Sequence, residues 1–497
     1  MRRSGVLLPV TSLPSRFGIG TFSKEAYAFV DFLKEAGQKL WQILPLGPTG
    51  YGDSPYQAFS TFAGNPYLID LEELIENGWL TEEECENTDW GGSKSYVDYE
   101  KMYQGRFPLL RKAYHNSHIA ENAEFIAFCE ENDWWLSDYA LFMAVKDRFD
   151  GVAWNEWAED IRLRWSNAMD YYRRELYYEI EFYSYLQFVF MKQWKKLKNY
   201  ANINGIEIIG DIPIYVAFDS ADAWANPELF QFDAENLPTA VAGCPPDGFS
   251  ADGQLWGNPL YRWDYHRETG FDWWIRRIAY CSELYDVVRI DHFRGFDEYY
   301  SIPYGDTTAR NGHWEKGPGI ALFEAAKNRL GELNIIAEDL GYITDSVKKL
   351  VADSGFPGMK VLEFAFDSRE KSDYLPYTYE KNSVVYTGTH DNETIAGWYA
   401  GLDKSDLKMC TDYMNIDRIP GKEYHWDFIR LAMLSVSDLC VIPIQDYLGL
   451  DNRARINHPS TLGTNWRWRL AKGQLSASLL KEIREMTRIS GRLQNGE

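Results

Sequence analysis

The sequence lacks the signatures of most cofactor- and nucleophile-dependent chemistries. It contains no GxxxxGK[ST] and no GxGxxG following a strand pattern, so nothing cradles a nucleotide phosphate. A GxSxG elbow and a papain-like cysteine context are also missing, which removes the usual serine and cysteine triads. The six cysteines, Cys85, Cys129, Cys244, Cys281, Cys410 and Cys440, are widely spaced and form no CxxC pair. That spacing argues against a zinc site or a disulfide framework and fits a reducing cytoplasm. No apolar run approaches the length of a membrane span, and GVLLPV near the start is too short for a signal-peptide core and ends in a polar TSLPS turn. Positive charge is scarce: 51 Lys and Arg against 74 Asp and Glu leave a net charge of −23. Phosphate backbones and anionic membranes are repelled by such a surface, so neither nucleic acid nor membrane is an expected partner. There is no internal repeat and no low-complexity tract.

Aromatic residues are abundant, at 16% with 19 Trp and 33 Tyr. Most of them belong to a large core, but flat apolar faces with polar edges also suit stacking on a neutral, hydroxyl-rich ligand. The 497 residues would fill two to four ordinary domains, or one α/β barrel carrying insertions. Short β-rich apolar runs favour the second arrangement. They fall at Gly5 to Val10, Leu40 to Leu46, Ile206 to Ile214, Val287 to Phe293, Ile335 to Leu340, Met359 to Phe364, Val384 to His390 and Cys440 to Gln445. Eight is the number a closed parallel barrel requires, and helix-length stretches such as Lys24 to Ala36 separate most of them. The predicted fold is therefore an α/β, TIM-type (β/α)8 barrel formed by 1–70 and 180–497.

Two connections are too long for simple crossovers. The stretch from Leu71 to Asn204 opens with a capping box at Thr81 and Glu84 and shows helical periodicity throughout. Its part 71–179 is read as a helical insertion. A last helix, with Phe182, Tyr185, Leu186, Val189, Phe190, Trp194 and Leu197 on one face, returns to the barrel. The second connection, 217–263, holds AGCPPDGFSADGQLWGNPLY, whose Gly, Pro, Asp and Asn density predicts irregular backbone and a functional loop. After Trp468 one closing helix is expected, without a C-terminal β-domain.

Four carboxylates stand where barrel strands end: Asp211 in IEIIGDIPIYVA, Asp291 in YDVVRIDHFRGF, Glu338 in NIIAEDLG and Asp391 in SVVYTGTHDNET. Reacting groups of α/β barrels lie at those ends, so four acids there point to carboxylate chemistry. Arg289 and Asp291 are two apart and leave their strand on one face, where the guanidinium is expected to lower the Asp291 pKa and keep it ionised. Alternation admits only one of Glu338 and Asp339 to the barrel mouth. The longer Glu arm in an apolar site suits a general acid, leaving Asp339 to cap the next helix. His390 and Asp391 follow a strand and both face the site, as sugar-hydroxyl ligands rather than as a nucleophile-activating dyad. His115 and His118 in HNSH are spaced for a metal but have no third ligand nearby, so exposed side chains and no metal site are expected. One ionised and one protonated carboxyl flanking a bond is the requirement of glycoside hydrolysis or transfer.

GDIPIYVA, VVRIDHFRG, AEDLG and TGTHDN resemble the four short motifs of α-amylase-type barrels in the form used by 4-alpha-glucanotransferases, the amylomaltases or disproportionating enzymes. GVLLPVTSLPS, GPTGYGDSPYQAFSTFAGNPYLID, PPDGFSADGQLWGNPLY, PIQDYLGL and NHPSTLGTNWRWR extend the resemblance over almost the whole chain. It implies that Asp291 is the nucleophile, Glu338 the general acid/base and Asp391 the stabiliser of the transition state. It further implies sugar contacts from Asp211, Arg289, His390, Ser54, Tyr56, Gln254, Trp256 and Asn465, with Tyr56 and Trp256 as stacking platforms. The implied activity is retaining transfer of an α-1,4-glucan segment to a glucose or maltooligosaccharide acceptor, in the cytoplasm and with no cofactor. One departure concerns the loop in which many relatives carry Tyr before the Phe of PPDxF: here Gly248 precedes Phe249, and an aromatic contact to the glucan is missing. An amylase-like hydrolase using the same acids is the rival reading, and a glucan-binding barrel without catalysis the more distant one.

Overall fold

The computed structural model describes residues 2–50, 52–246, 250–341, 343–417 and 423–493. Its centre is a closed barrel of eight strands, each at or near a run expected from the sequence: β1 Arg3–Leu7, β2 Leu40–Gln42, β3 Glu207–Pro213, β4 Val287–Asp291, β5 Ile335–Ala337, β6 Gly358–Val361, β7 Ser383–Tyr386 and β8 Leu439–Pro443. Every pairing is parallel, neighbours in space are neighbours in sequence, and β8 closes against β1. These strands are apolar on both faces because helices cover the outside and side chains fill the inside.

Inside the barrel, Leu7, Leu40, Ile209, Val287, Ile336, Met359, Val384 and Leu439 belong to one buried apolar cluster. Alternation then places polar side chains on the same inward faces one step closer to the strand ends: Asp211 two residues after Ile209, Arg289 two after Val287, and Asp291 two further. The barrel thus changes from an oily floor to a charged mouth within one strand length. Gly210, between Ile209 and Asp211, has its outward side against Tyr285, where an added Cβ would lie 2.1 Å from the ring. Only glycine lets that ring pack flush on the strand carrying Asp211.

Residues 71–179 are largely helical. The capping box at Thr81 and Glu84 is formed in both directions, and the long helices are Tyr99–Ser117 and Ala123–Arg148. The last helix, Tyr177–Ile203, runs across the expected 179/180 division without interruption and buries Phe182, Tyr185, Leu186, Val189, Phe190, Trp194 and Leu197. Its Trp194 donates to the Leu284 carbonyl at 3.1 Å, tying the inserted helices to the barrel wall.

The stretch 217–263 is more regular than its composition predicts. It contains the helix Ala221–Ala225 and the strands Ala240–Cys244 and Gln254–Pro259. With Glu298–Pro303 and His313–Lys316 these strands form an antiparallel four-stranded sheet. Half of that sheet comes from beyond β4, so the pairing that orders the loop is invisible to a local reading. A helix, Ala477–Ile489, packs near the end of the described chain. Among the described residues no helix is long and apolar enough to cross a membrane.

Candidate active site

The site begins with register. Asp211 on β3 and Arg289 on β4 are directly paired across parallel strands, and both side chains are buried. Arg289 Nη1 donates to both oxygens of Asp211 at 2.7 Å, and its Nη2 donates to Asp291 Oδ1 at 3.0 Å. One guanidinium therefore serves two carboxylates. Asp211 is fully enclosed, whereas the Asp291 side chain is 30% exposed and opens toward the barrel mouth. Removing one member of a buried charge group leaves the others uncompensated, at a cost of roughly 3–5 kcal/mol. Arg289→Ala is expected to lose stability of that order in urea unfolding; an unchanged midpoint would contradict the buried pairing.

Arg289 does act to lower the Asp291 pKa, as the sequence leads one to expect, but burial outweighs it and the net shift is upward. Burial in the mouth pushes Asp291 up to about 6, Arg289 only partly offsets it, and the nearby Asp211 and Asp391 charges push it further up. Spacing along a strand reveals the arginine, but not the desolvation that outweighs it.

Glu338 lies just past β5 and is locked to the end of β4 by backbone bonds: its N–H donates to Ile290 O at 3.1 Å, and Phe293 N–H donates to Glu338 O at 3.0 Å. Its carboxyl accepts from His292 N at 2.6 Å and from Leu340 N at 2.8 Å. Burial and then the Asp291 charge raise its pKa to about 7, against the opposing pull of Arg289 and the two amides. Asp339 does not cap the following helix. It accepts from Met359 N at 2.7 Å on β6, and the helix Asp345–Ser354 is capped by Thr344 instead. Alternation sends Asp339 to the adjacent strand, where a backbone donor lies within reach.

His390 and Asp391 follow β7 and both reach the cleft. His390 Nε2 is 3.4 Å from Asp391 Oδ1, and Asn457 Nδ2 donates to the same oxygen at 2.6 Å. Burial alone would raise the Asp391 pKa, but His390 and Asn457 outweigh it and hold the group well below the usual carboxylate range. For His390, burial acts downward and the Asp391 charge more than compensates, leaving its pKa raised. Tyr56 stacks on His390, with centroids 5.1 Å apart and planes at 20°, and its hydroxyl donates to Asp211 Oδ2 at 2.8 Å.

These groups share a cleft of about 540 Å³, whose lining includes Ser54, Tyr56, Gln254, Trp256, Asp291, His390 and Asp391. Glu338 is not among the lining residues and is tied to them through the amide of His292, which is. A cavity of about 650 Å³ beside the inserted helices is larger but holds none of the four strand-end acids, so size does not identify the reacting centre. Gln254 Oε1 accepts from Trp256 Nε1 at 3.0 Å, which fixes the indole on the cleft wall.

Asn465 does not join the others. Its side-chain oxygen accepts from His458 N at 2.9 Å and its amide donates to Thr461 O at 2.9 Å, so it staples its own loop. Asn457 occupies the cleft instead; nothing in NHPSTLGTNW distinguishes the two asparagines before the loop is folded. His292, Tyr215 and Gln57 also line the cleft and were not singled out in the sequence. Asp446, in PIQDYLGL, accepts from the Thr387 hydroxyl and from Ile395 N at 2.8 Å, fixing both ends of the turn that carries His390 and Asp391. His115 and His118 are exposed, and among the described residues no three His, Cys, Asp or Glu side chains gather to hold a metal. Gly248 and Phe249 lie outside the described residues.

A closed parallel eight-stranded barrel whose strand ends carry four acids, an arginine and a histidine beside an aromatic-walled cleft defines a (β/α)8-barrel enzyme with a carboxylate-rich site. The sequence profile of the 4-alpha-glucanotransferase family matches residues 8–475, and the chain belongs to that family. It is 47% identical to the 4-alpha-glucanotransferase of Clostridium butyricum over 485 residues, covering 97% of this chain and 99% of the relative. It is 46% identical to that of Thermus thermophilus, covering 99% of each. An amylomaltase from Streptococcus agalactiae, solved in complex with acarbose, superposes with a TM-score of 0.97 at 44% identity, covering 99% of this chain and 100% of the other. The activity is that of a 4-alpha-glucanotransferase.

Proposed function

We propose that Asp291 is the nucleophile, Glu338 the general acid/base and Asp391 the stabiliser of the transition state in a double displacement on α-1,4-glucans. Arg289 holds Asp291 Oδ1, so Oδ2 attacks the anomeric carbon while the Glu338 carboxyl passes its proton to the departing glycosidic oxygen. The released chain leaves with a free 4-hydroxyl, and the donor segment remains as a glycosyl ester on Asp291. Glu338, now a carboxylate, takes the proton of an acceptor 4-hydroxyl, whose oxygen displaces Asp291 and restores the α-linkage. Asp391, ionised throughout, and His390 hold sugar hydroxyls; Asp211, Arg289 and Tyr56 shape the floor of the same subsite, while Ser54 and Gln254 supply polar contacts along the wall.

What supports this reading is the contrast between two electrostatically coupled carboxyls: Asp291 is bonded to a guanidinium, Glu338 to two neutral amides, and burial with the Asp291 charge pushes the Glu338 pKa up. Glucose or a maltooligosaccharide is the acceptor, which the acarbose complex of the Streptococcus agalactiae amylomaltase supports by analogy. Cys85, Cys129, Cys281, Cys410 and Cys440 stand outside any disulfide, which supports a cytoplasmic setting.

Transfer prevails over hydrolysis only where a sugar is held over the intermediate better than water, and Trp256 is placed to provide that grip. With maltotriose as sole substrate, the products expected are glucose and chains longer than three units, with few new reducing ends. Trp256→Ala is expected to raise the hydrolytic share severalfold, because a lost aromatic contact of roughly 1–3 kcal/mol weakens the sugar acceptor and not water. Chain-length profiles against reducing-end assays decide it: steady gain of reducing ends without lengthening in the unmodified enzyme would contradict the acceptor reading, and an unaltered ratio in Trp256→Ala would move the grip elsewhere.

A further inference from the structure

A single residue, His292, joins β4 to the 3-10 turn Phe293–Phe296, and it adopts the left-handed conformation with φ 54° and ψ 48°. That conformation is uncommon for residues other than glycine, although histidine adopts it more readily than most. Two contacts accompany it. The His292 N–H donates to Glu338 Oε2 at 2.6 Å. The His292 ring stands at right angles to Trp256, with centroids 4.8 Å apart and planes at 88°, and it meets Tyr215 at 6.4 Å on another side. Its Nε2 is buried and finds no hydrogen-bond partner among the described residues, an uncommon condition for an imidazole nitrogen. Burial, with the nearby Arg294 acting the same way, lowers its pKa to about 3, so the ring meets Trp256 as a neutral aromatic surface.

We propose that His292 is a positioning residue that couples the acid to the acceptor wall: its left-handed backbone aims an amide at Glu338, and its ring braces Trp256 over the cleft. Loss of the ring then diverts the glycosyl-enzyme intermediate from sugar acceptors to water, while loss of the backbone conformation disturbs Glu338. The inference rests on the roles given above to Glu338 and Trp256. A residue that merely filled space would change stability when replaced and leave the partition between transfer and hydrolysis alone. Here the two functions are separable, because the amide belongs to the main chain and the brace to the side chain.

Ring-free and ring-retaining variants separate them. Asparagine tolerates the left-handed region, so His292→Asn keeps the amide and removes the ring; His292→Gly, unstrained there, gives the same comparison should the Asn variant not fold. With maltotriose, the ring-free variant is expected to raise the hydrolytic share about three- to tenfold, the range of a lost edge-to-face aromatic pair. The pre-steady-state release of fluoride from an α-maltosyl fluoride donor should stay within about twofold of the unmodified enzyme, since attack by Asp291 on that donor needs neither the ring nor a proton from Glu338. His292→Phe, which restores a flat ring, is expected to return the hydrolytic share to near its original value. In a double variant with Trp256→Ala, removing the ring should add nothing to the effect of Trp256→Ala alone. An unchanged partition in the ring-free variant, alongside a shifted one in Trp256→Ala, would overturn the brace while leaving the acceptor wall intact. An unchanged partition in Trp256→Ala itself would overturn the wall first, and the brace with it. Failure of His292→Phe to restore transfer would also overturn it.

Discussion

Asp291→Asn is expected to lower turnover of maltooligosaccharides by roughly 10⁴- to 10⁶-fold, the scale on which removal of a covalent nucleophile acts. Asparagine keeps the size of the side chain and can still accept from Arg289, so the barrel should fold with its stability little changed. The effect follows from the geometry around Asp291: Oδ1 is anchored by Arg289 at 3.0 Å, and the rest of the carboxyl opens to the cleft. Among the described residues no second strand-end carboxylate is similarly placed. Asp211 is enclosed and bonded through both oxygens to Arg289, and Asp391 is held by His390 and Asn457 on the opposite loop. Near-normal activity in Asp291→Asn, measured as glucose release and chain lengthening from maltotriose, would reassign the nucleophile.

Glu338→Gln is expected to slow the glycosylation step about 10²- to 10⁴-fold with natural glucans and far less, read as the pre-steady-state fluoride burst, with a donor that has a good leaving group. A glucan needs its departing oxygen protonated, whereas fluoride leaves without a proton. Glutamine preserves the oxygen that accepts from the neighbouring amides but carries no acidic hydrogen. The same assignment sets the pH dependence. Activity requires Asp291 ionised, so it falls as pH drops below about 6, and requires Glu338 protonated, so it falls as pH rises above about 7. A bell in kcat/KM with its maximum between those values is the expected result for natural glucans. In Glu338→Gln assayed with α-maltosyl fluoride, the alkaline limb of the glycosylation step should disappear and the acidic limb remain. Equal losses for both donors, or an alkaline limb that survives, would contradict the acid role.

Much of this arrangement is legible in the sequence, for a physical reason. Strands of a parallel barrel are buried on both faces, so β3, β4 and β8 read as predominantly apolar runs, and a charged residue within or at the end of such a run stands out. The resemblance to known motifs then gives Asp291, Glu338 and Asp391 their proposed roles. What stays hidden depends on contacts between distant parts of the chain. The sheet that orders residues 240–259 draws its other two strands from 298–316, so its first half looks like loop. Asn465 and Asn457 are indistinguishable until one of them turns inward to Asp391. Asp339 looks like a helix cap because the Met359 amide it serves belongs to the next strand. The Asp291 pKa moves opposite to the reading from its arginine neighbour because burial cannot be counted along a strand. His292 stands inside VVRIDHFRG, yet nothing there marks it: its proposed role rests on a backbone angle and on two partners, Glu338 and Trp256, that follow and precede it by 46 and 36 residues.

The most direct test of the central claim is to locate the covalent intermediate. Glu338→Gln supplied with α-maltosyl fluoride forms the glycosyl ester readily and resolves it slowly, since no carboxylate remains to activate the acceptor. Proteolysis at low pH followed by mass spectrometry is predicted to show the peptide containing Asp291 heavier by one maltosyl unit, with fragmentation placing the sugar on that residue. A maltosyl group on Asp391 or Asp211, or fluoride release with no adduct and no pre-steady-state burst, would contradict the double displacement at Asp291.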